Sequence, residues 1–168
     1  RLMEDPAGLE CLKSCAVIWV GGAGLNSCSR AAARREQLNL APCYGATETT
    51  AMVTALPPQH FLEGLEGCGD VLRDVEIHLD VDGSLMVRTN RLATGRWNGA
   101  QDSAPEGLRD GQGWWRSGDL ARWLPGKGGK GMVRSLQLIG RRDAVINSGG
   151  ETLFLETLEE RMGELFAS

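Results

Sequence analysis

The sequence predicts a mixed chain of α and β elements, rich in short strands and tight turns, on three observations. From Val71 to Asn90 apolar and polar residues alternate, with Val75, Ile77 and Leu79 on one face and Glu76, His78 and Asp80 on the other. That period of two belongs to a half-buried strand. Near the end, Leu155, Leu158, Met162 and Leu165 recur at helical spacing, with Glu156, Glu159, Glu160 and Glu164 elsewhere, which predicts an amphipathic helix. Glycine accounts for 23 of the 168 residues, roughly twice the usual ~7%. The glycines fall in pairs and clusters without a period. This excludes collagen and solenoid repeats and marks tight turns or places where backbone approaches a ligand closely.

In chain order, Cys15-Ala-Val-Ile-Trp-Val20 reads as a buried strand entering the loop Gly21-Gly-Ala-Gly24. Residues 29–38 favour a helix, with Ser29 as its N-cap, and Pro42-Cys-Tyr-Gly45 breaks it and starts another loop. The alternating stretch folds as a hairpin. A three-residue loop, Val81 to Gly83, pairs Leu79 with Leu85 and Ile77 with Val87 and keeps the apolar face continuous, with Gly83 left-handed. Trp114 to Leu124 and Met132 to Ile139 read as two more strands. The tip between them, Pro125-Gly-Lys-Gly-Gly-Lys-Gly131, resembles a phosphate loop only superficially, since no Ser or Thr follows a Lys at the required place.

A chain of 168 residues suggests one domain or slightly more. Eighteen Lys and Arg against 22 Asp and Glu leave a net charge of −4. That removes the electrostatic case for a nucleic-acid partner, which would need a basic face. Apolar residues make up 42%, enough for a core. No run approaches the ~18–20 apolar residues of a membrane span, and the start carries no signal-peptide pattern. Five cysteines without C-x-x-C spacing, and two distant histidines, predict reduced, mostly buried thiols in a cytoplasmic protein.

Four segments carry candidate chemistry. Gly21-Gly-Ala-Gly24 fails as a dinucleotide fingerprint and by default is a tight turn. In Tyr44-Gly-Ala-Thr-Glu-Thr-Thr50, Gly45 admits close backbone approach and Thr47 offers a hydroxyl to an anionic oxygen. Glu48 offers a carboxylate to a hard cation such as Mg²⁺. Gly113-Trp-Trp-Arg-Ser-Gly-Asp119 ends in a carboxylate suited to the two hydroxyls of a ribose. Gly140-Arg-Arg-Asp143 abuts a short apolar strand and a Gly-Gly pair, as a hinge with a charged pivot would. Taken singly, the second segment is equally consistent with a polar loop, the third with a β-bulge and a turn aspartate, and the fourth is more often a surface loop.

Their order and spacing resemble the adenylate-forming superfamily of acyl-CoA synthetases, peptide-synthetase adenylation domains and luciferases. Tyr44-Gly-Ala-Thr-Glu48 is similar to its aromatic-Gly-x-Thr-Glu motif. Trp115-Arg-Ser-Gly-Asp119 is similar to aromatic-x-Thr-Gly-Asp, with Ser117 for Thr, and Gly140-Arg-Arg-Asp143 to its Gly-Arg-x-Asp hinge. Gly21-Gly-Ala23 matches the Gly-Gly-Ala that precedes the aromatic motif. Thr94-Gly-Arg-Trp-Asn-Gly99, Asp110-Gly-Gln-Gly-Trp-Trp115 and Ser148-Gly-Gly-Glu151 resemble the 2-succinylbenzoate–CoA ligases of menaquinone and phylloquinone biosynthesis.

The resemblance implies an AMP-forming acid–CoA ligase that uses ATP, Mg²⁺ and CoA: a carboxylate attacks the α-phosphate, then the CoA thiol displaces AMP. It implies that Gly22, Ala23 and Gly45 line the nucleotide site by backbone, that Tyr44 stacks on adenine and that Thr47 binds phosphate. Glu48 would hold Mg²⁺, Asp119 the ribose hydroxyls, and Arg141 the ribose or phosphate. Asp143 would be the hinge and Gly149 would flank the CoA tunnel. By the same token residues 1–140 would be the later, β-rich part of a large domain, 141–143 the hinge and 144–168 the first strand and helix of a small domain. Asn147 and Leu155 stand where many relatives carry Lys and Pro. The phosphate loop and catalytic lysine of the family would lie before residue 1 and beyond Ser168, so the chain is expected to be a nearly inactive fragment. Another aryl- or fatty-acyl-CoA synthetase, or a non-catalytic nucleotide-binding module, remain the alternatives.

Overall fold

The structure, a computed structural model, describes residues 2–97, 106–127, 133–148, 151–155, 158 and 162. It begins with a helix that apolar periodicity does not reveal, α1 (Pro6–Ser14). Local signals make it: Pro6 sits in the first turn, and the Asp5 carboxylate accepts from the Gly8 N–H at 2.7 Å.

A βαβ unit follows, of β1 (Ile18–Val20), α2 (Ser27–Arg35) and β2 (Leu40–Gly45), with β1 and β2 parallel. Strand β1 is shorter and more open than the sequence predicts. It lies at the edge of its sheet, so Ile18 and Val20 pack inward while Trp19 is 55% exposed. Helix α2 starts two residues before the expected Ser29. Asn26 is the N-cap, and its side-chain oxygen accepts from the Ser29 N–H at 2.7 Å. Arg34 on this helix stacks on Phe61 and donates to the Phe61 and Leu65 carbonyls, while Arg30 and Arg34 both pair with Glu66.

Strand β2 continues through a single 3₁₀ turn, Thr47–Thr49, into β3 (Met52–Ala55), then α3 (Pro58–Leu62) and β4 (Asp70–Val71). The first sheet runs β1-β2-β3-β4. The predicted hairpin is β5 (Val75–Leu79) and β6 (Ser84–Thr89), in the expected register: Leu79 faces Leu85, Ile77 faces Val87, and Gly83 has φ +83°. Two residue pairs form β7 (Gly95–Arg96) and β8 (Glu106–Gly107). Two long strands, β9 (Trp115–Lys127) and β10 (Val133–Arg141), complete a second sheet of order β10-β9-β6-β5. A last hairpin joins β11 (Val145–Ser148) to β12 (Glu151–Phe154). Leu155, Leu158 and Met162 of the predicted terminal stripe are helical. Leu165, Gly149 and residues 128–131 of the glycine-rich tip lie outside the described residues.

Two apolar clusters hold these layers. Val53 of the first sheet packs with Leu85, Val87, Trp115 and Leu136 of the second, while Ala33, Leu38, Leu56 and Phe61 tie the helices to the first sheet. Gly69 joins the sheets by backbone: its N–H donates to Ser135 Oγ at 2.9 Å, and its carbonyl accepts from the Leu136 N–H at 2.9 Å. The thiols are less buried than the sequence predicts. Cys11 and Cys28 are exposed, and Cys15, Cys43 and Cys68 are half-buried, because α1 and α2 are single-layer helices whose outer faces carry the first two. No helix among the described residues is long and apolar enough to cross a membrane.

Candidate functional site

Parallel pairing sends β1 and β2 to the same end of the first sheet, where open α/β sheets offer their ligand crevice. The loop Gly21–Gly24 and the turn after Tyr44 therefore lie side by side. A Cβ on Gly21 would lie 3.0 Å from Cys43 Sγ. Gly22 adopts φ +84° over open space, and Gly22 and Ala23 are exposed. At Gly45 a Cβ would fall 2.5 Å from the Ala51 carbonyl oxygen and 2.7 Å from Met52 Cα, so only glycine lets the strand double back there.

The turn is pinned from beneath. Thr49 is fully buried; its hydroxyl donates to the Ala51 carbonyl at 2.7 Å and accepts from the Ala46 N–H at 3.0 Å. Thr50 takes φ +58°, unusual for a β-branched residue and the kind of strain that gathers where a loop must hold one shape. Thr47 is exposed and Glu48 half-buried as a result, and the Glu48 carbonyl accepts from the Ala93 N–H at 2.8 Å.

Asp119 reaches the same place from β9. Its strand bulges against β6 between the pairs Met86–Arg116 and Ser84–Leu120, with Gly118 at φ +81°. Ser117 closes the bulge: its buried hydroxyl donates to the Leu85 carbonyl at 3.1 Å and accepts from the Asp119 N–H at 3.0 Å. The turned backbone aims Asp119 at the first sheet, where the Tyr44 hydroxyl donates to its Oδ2. Burial, then that hydrogen bond, push the Tyr44 hydroxyl well above its usual range, so it stays a donor at any physiological pH. Arg141 stands opposite Asp119 in the β9–β10 register. Its Nη1 lies 3.8 Å from Asp119 Oδ1, while Nε and Nη2 donate to Asp143 at 2.7 and 2.9 Å. That bidentate pair holds the Asp143 carboxyl below its ordinary value.

Tyr44, Asp119, Arg141 and Asp143, drawn from three distant stretches, thus form one chain of polar contacts beside Glu48. Gly149 is not among the described residues. Three contributors escaped the sequence reading: Thr49, Ser117 as a tether, and Arg96, which donates to Glu48 Oε1. A Ser or Thr just inside a turn signals the first two; nothing in local sequence pairs Arg96 with Glu48, 48 residues away.

Glu48 offers a single carboxylate to a hard cation. Among the described residues no group of three or more His, Cys, Asp or Glu side chains could hold a metal ion. Mg²⁺ keeps most of its octahedron in water and phosphate oxygens, so one half-buried carboxylate by itself makes a weak site, which the oxygens of a polyphosphate would complete.

The Arg96 hydrogen bond lowers the Glu48 pKa from 4.5. The folded value lies below the unfolded one, so the stabilisation is complete above pH 4.5 and disappears as the pH falls through the lower, folded value. The Glu48→Gln protein is therefore expected to be less stable than the parent at neutral pH and to converge with it in acid. Urea midpoints across that range check this.

No family model matches the chain. The 2-succinylbenzoate–CoA ligase of Listeria monocytogenes is 24% identical over 150 residues, an alignment covering 89% of this chain and 30% of that enzyme. Yeast long-chain-fatty-acid–CoA ligase 4 is 30% identical over 128 residues, covering 69% of this chain and 17% of its own length. Among solved structures, Bacillus subtilis o-succinylbenzoate CoA synthetase with its acyl-adenylate intermediate superposes with a TM-score of 0.70 at 24% identity, over 92% of this chain and 33% of that one. The same enzyme with ATP and magnesium ion gives 0.65 at 25%, over 89% and 33%. The chain therefore spans about a third of the length of the 2-succinylbenzoate–CoA ligases it matches and less of the fatty-acid ligase.

Proposed function

We propose that this chain, a member of the adenylate-forming superfamily, carries the adenine- and ribose-binding wall and the hinge of an AMP-forming acid–CoA ligase acting on 2-succinylbenzoate. The observation that carries the reading is the contact chain Tyr44–Asp119–Arg141–Asp143 beside Glu48. Two carboxylates, a phenol and a guanidinium from separate sheets meet there, with the Tyr44 ring packed against the core and its hydroxyl turned to Asp119.

In this reading the open Gly22–Ala23 loop and the Gly45 backbone flank the base, and Tyr44 presents its ring to it. Asp119 Oδ1 and Oδ2 accept from the two ribose hydroxyls, and Arg141 neutralises the carboxylate or a nearby phosphate oxygen. Thr47 offers its hydroxyl to phosphate. Glu48 would hold Mg²⁺, which spreads the negative charge that develops on phosphoryl oxygens during adenylation. Asp143, locked to Arg141 and followed at once by β11, is the pivot between residues 1–140 and 144–168. A hinge needs only a few dihedrals to move, and the Arg141–Asp143 pair would have to break or travel with it. By the resemblance Gly149 would border the CoA path. In this reading the chain works in the cytoplasm, where ATP and CoA are both at hand.

The experiment is carboxylate-dependent ATP–pyrophosphate exchange by a ligase of full family length containing this segment, with 2-succinylbenzoate, benzoate and a fatty acid. Exchange with 2-succinylbenzoate alone is expected, and no exchange with any acid would overturn the reading. Exchange with the fatty acid would favour the second reading, a fatty-acyl-CoA synthetase, which the 30% identity to the yeast enzyme supports. The isolated 168 residues are expected to bind AMP but to form acyl-CoA far more slowly than an intact ligase.

A further inference from the structure

The carboxylate proposed for the cation already has a cation on it. Arg96 Nη2 donates to Glu48 Oε1. The Glu48 side chain is only 21% exposed whereas that of Arg96 is 63% exposed, so the acid is fixed and the base is an arm reaching in from solvent. Each partner is held in its own way. The Glu48 turn is locked by Thr49 and by the Ala93 N–H. Arg96 belongs to the two-residue β7, which among the described residues pairs with β8 alone. Across that pairing stands Glu106, an exposed acid directly opposite Arg96. A guanidinium leaving Glu48 therefore has a second carboxylate on its own ladder. Arg141, the other guanidinium of the site, is not free to take its place at Glu48, being held by Asp143 and close to Asp119.

We propose that Arg96 is the internal counter-cation of Glu48: it neutralises the carboxylate while no metal is bound and competes with a divalent cation for it. This rests on Glu48 being the metal carboxylate of the reading above, and adds a residue that sets how readily that carboxylate is reached. A guanidinium on Oε1 repels a divalent ion that approaches either oxygen of the same carboxylate. Metal entry therefore works against the ion pair, and removing the pair makes entry easier. The pair also shields Glu48 from repelling the phosphates of an incoming nucleotide before the metal has joined them.

The test titrates Mn²⁺ alone, without nucleotide, into this chain and follows paramagnetic broadening of the Thr47, Glu48 and Ala93 backbone amide signals. Arg96→Ala is expected to lower the Mn²⁺ midpoint at these amides roughly two- to fivefold, the range expected for a half-exposed ion pair. Arg96→Lys, which keeps the charge, should stay near the parent. The gain should vanish in the Arg96→Ala, Glu48→Gln double variant. Equal midpoints for the parent and Arg96→Ala, or a gain that survives Glu48→Gln, would overturn the proposal. AMP binding is measured on the same proteins and needs no metal. AMP bound with no Arg96 effect would sink this inference and leave the nucleotide site standing; an Arg96 effect with no AMP bound would do the reverse.

Discussion

Asp119→Ala is expected to weaken AMP binding by roughly ten- to a hundredfold while leaving the chain folded. The Asp119 side chain is 16% exposed and lies where the first sheet faces the bulge of β9. Hydrogen bonds to a charged acceptor contribute about 1.5–3 kcal/mol each, and every 1.4 kcal/mol is about tenfold in affinity. Losing the acceptor for two ribose hydroxyls, even with water filling the space, falls in that range. The substitution also strands the Tyr44 hydroxyl, half-buried behind it, and releases Arg141 to Asp143 alone. Asp119→Asn keeps the shape and one acceptor, so it should fall between parent and alanine. Calorimetric titration with AMP measures the ratio and thermal melting confirms that both variants fold. Equal affinities for parent and Asp119→Ala would show that the carboxylate faces no ligand and that its bonds to Tyr44 are merely structural.

Much of this arrangement is legible in residue order because the relevant signals are local. The β5–β6 register follows from keeping Ile77, Leu79, Leu85 and Val87 on one face, and the structure pairs them so. Short motifs likewise single out Tyr44, Asp119 and Arg141, although Tyr44, read from the sequence as part of a loop, lies in strand β2. What is not legible arises from contacts across the chain. The helix α1 has too few turns for a periodic stripe and owes its existence to the Asp5 cap and Pro6. The exposure of Trp19 depends on β1 standing at a sheet edge, and a run of apolar residues cannot say whether a second layer covers it. Arg30 and Arg34, which the sequence places only within a helix, clamp Glu66 and the carbonyls beside it. Arg96 on Glu48 is the same kind of event at the site itself. Charged side chains find partners by tertiary placement, so the sequence gives the candidates and only the fold gives the pairs.

Gly69→Ala is expected to destabilise the chain by about 4 kcal/mol or more, a large share of the 5–15 kcal/mol typical of a whole domain. An added Cβ would lie 1.9 Å from the Ala55 carbonyl oxygen, 2.1 Å from its carbon and 2.3 Å from the Leu56 nitrogen, all backbone. Those atoms cannot yield cheaply: Ala55 pairs with Asp70 in the ladder, and the Leu56 N–H is bound to the Pro42 carbonyl at 2.8 Å. Gly69 also has φ +75°, which alanine adopts only at a further cost of about 1 kcal/mol. Gly22 separates the two effects, since it has φ +84° but no atom within 4 Å of an added Cβ. Gly22→Ala should therefore cost only the backbone share, about 1 kcal/mol. Urea unfolding of both variants measures the difference, and a Gly69→Ala protein as stable as Gly22→Ala would mean that the sheets do not meet at this backbone contact. The consequence reaches the site as well. Gly69 bonds to Ser135 and Leu136 on β10, the strand that ends at Arg141, while its neighbour Ala55 lies on β3, which pairs with β2 below Tyr44. Forcing those backbones apart moves Tyr44 away from Asp119 and Arg141, so any fraction of Gly69→Ala that does fold should bind AMP more weakly than its residual stability alone would suggest.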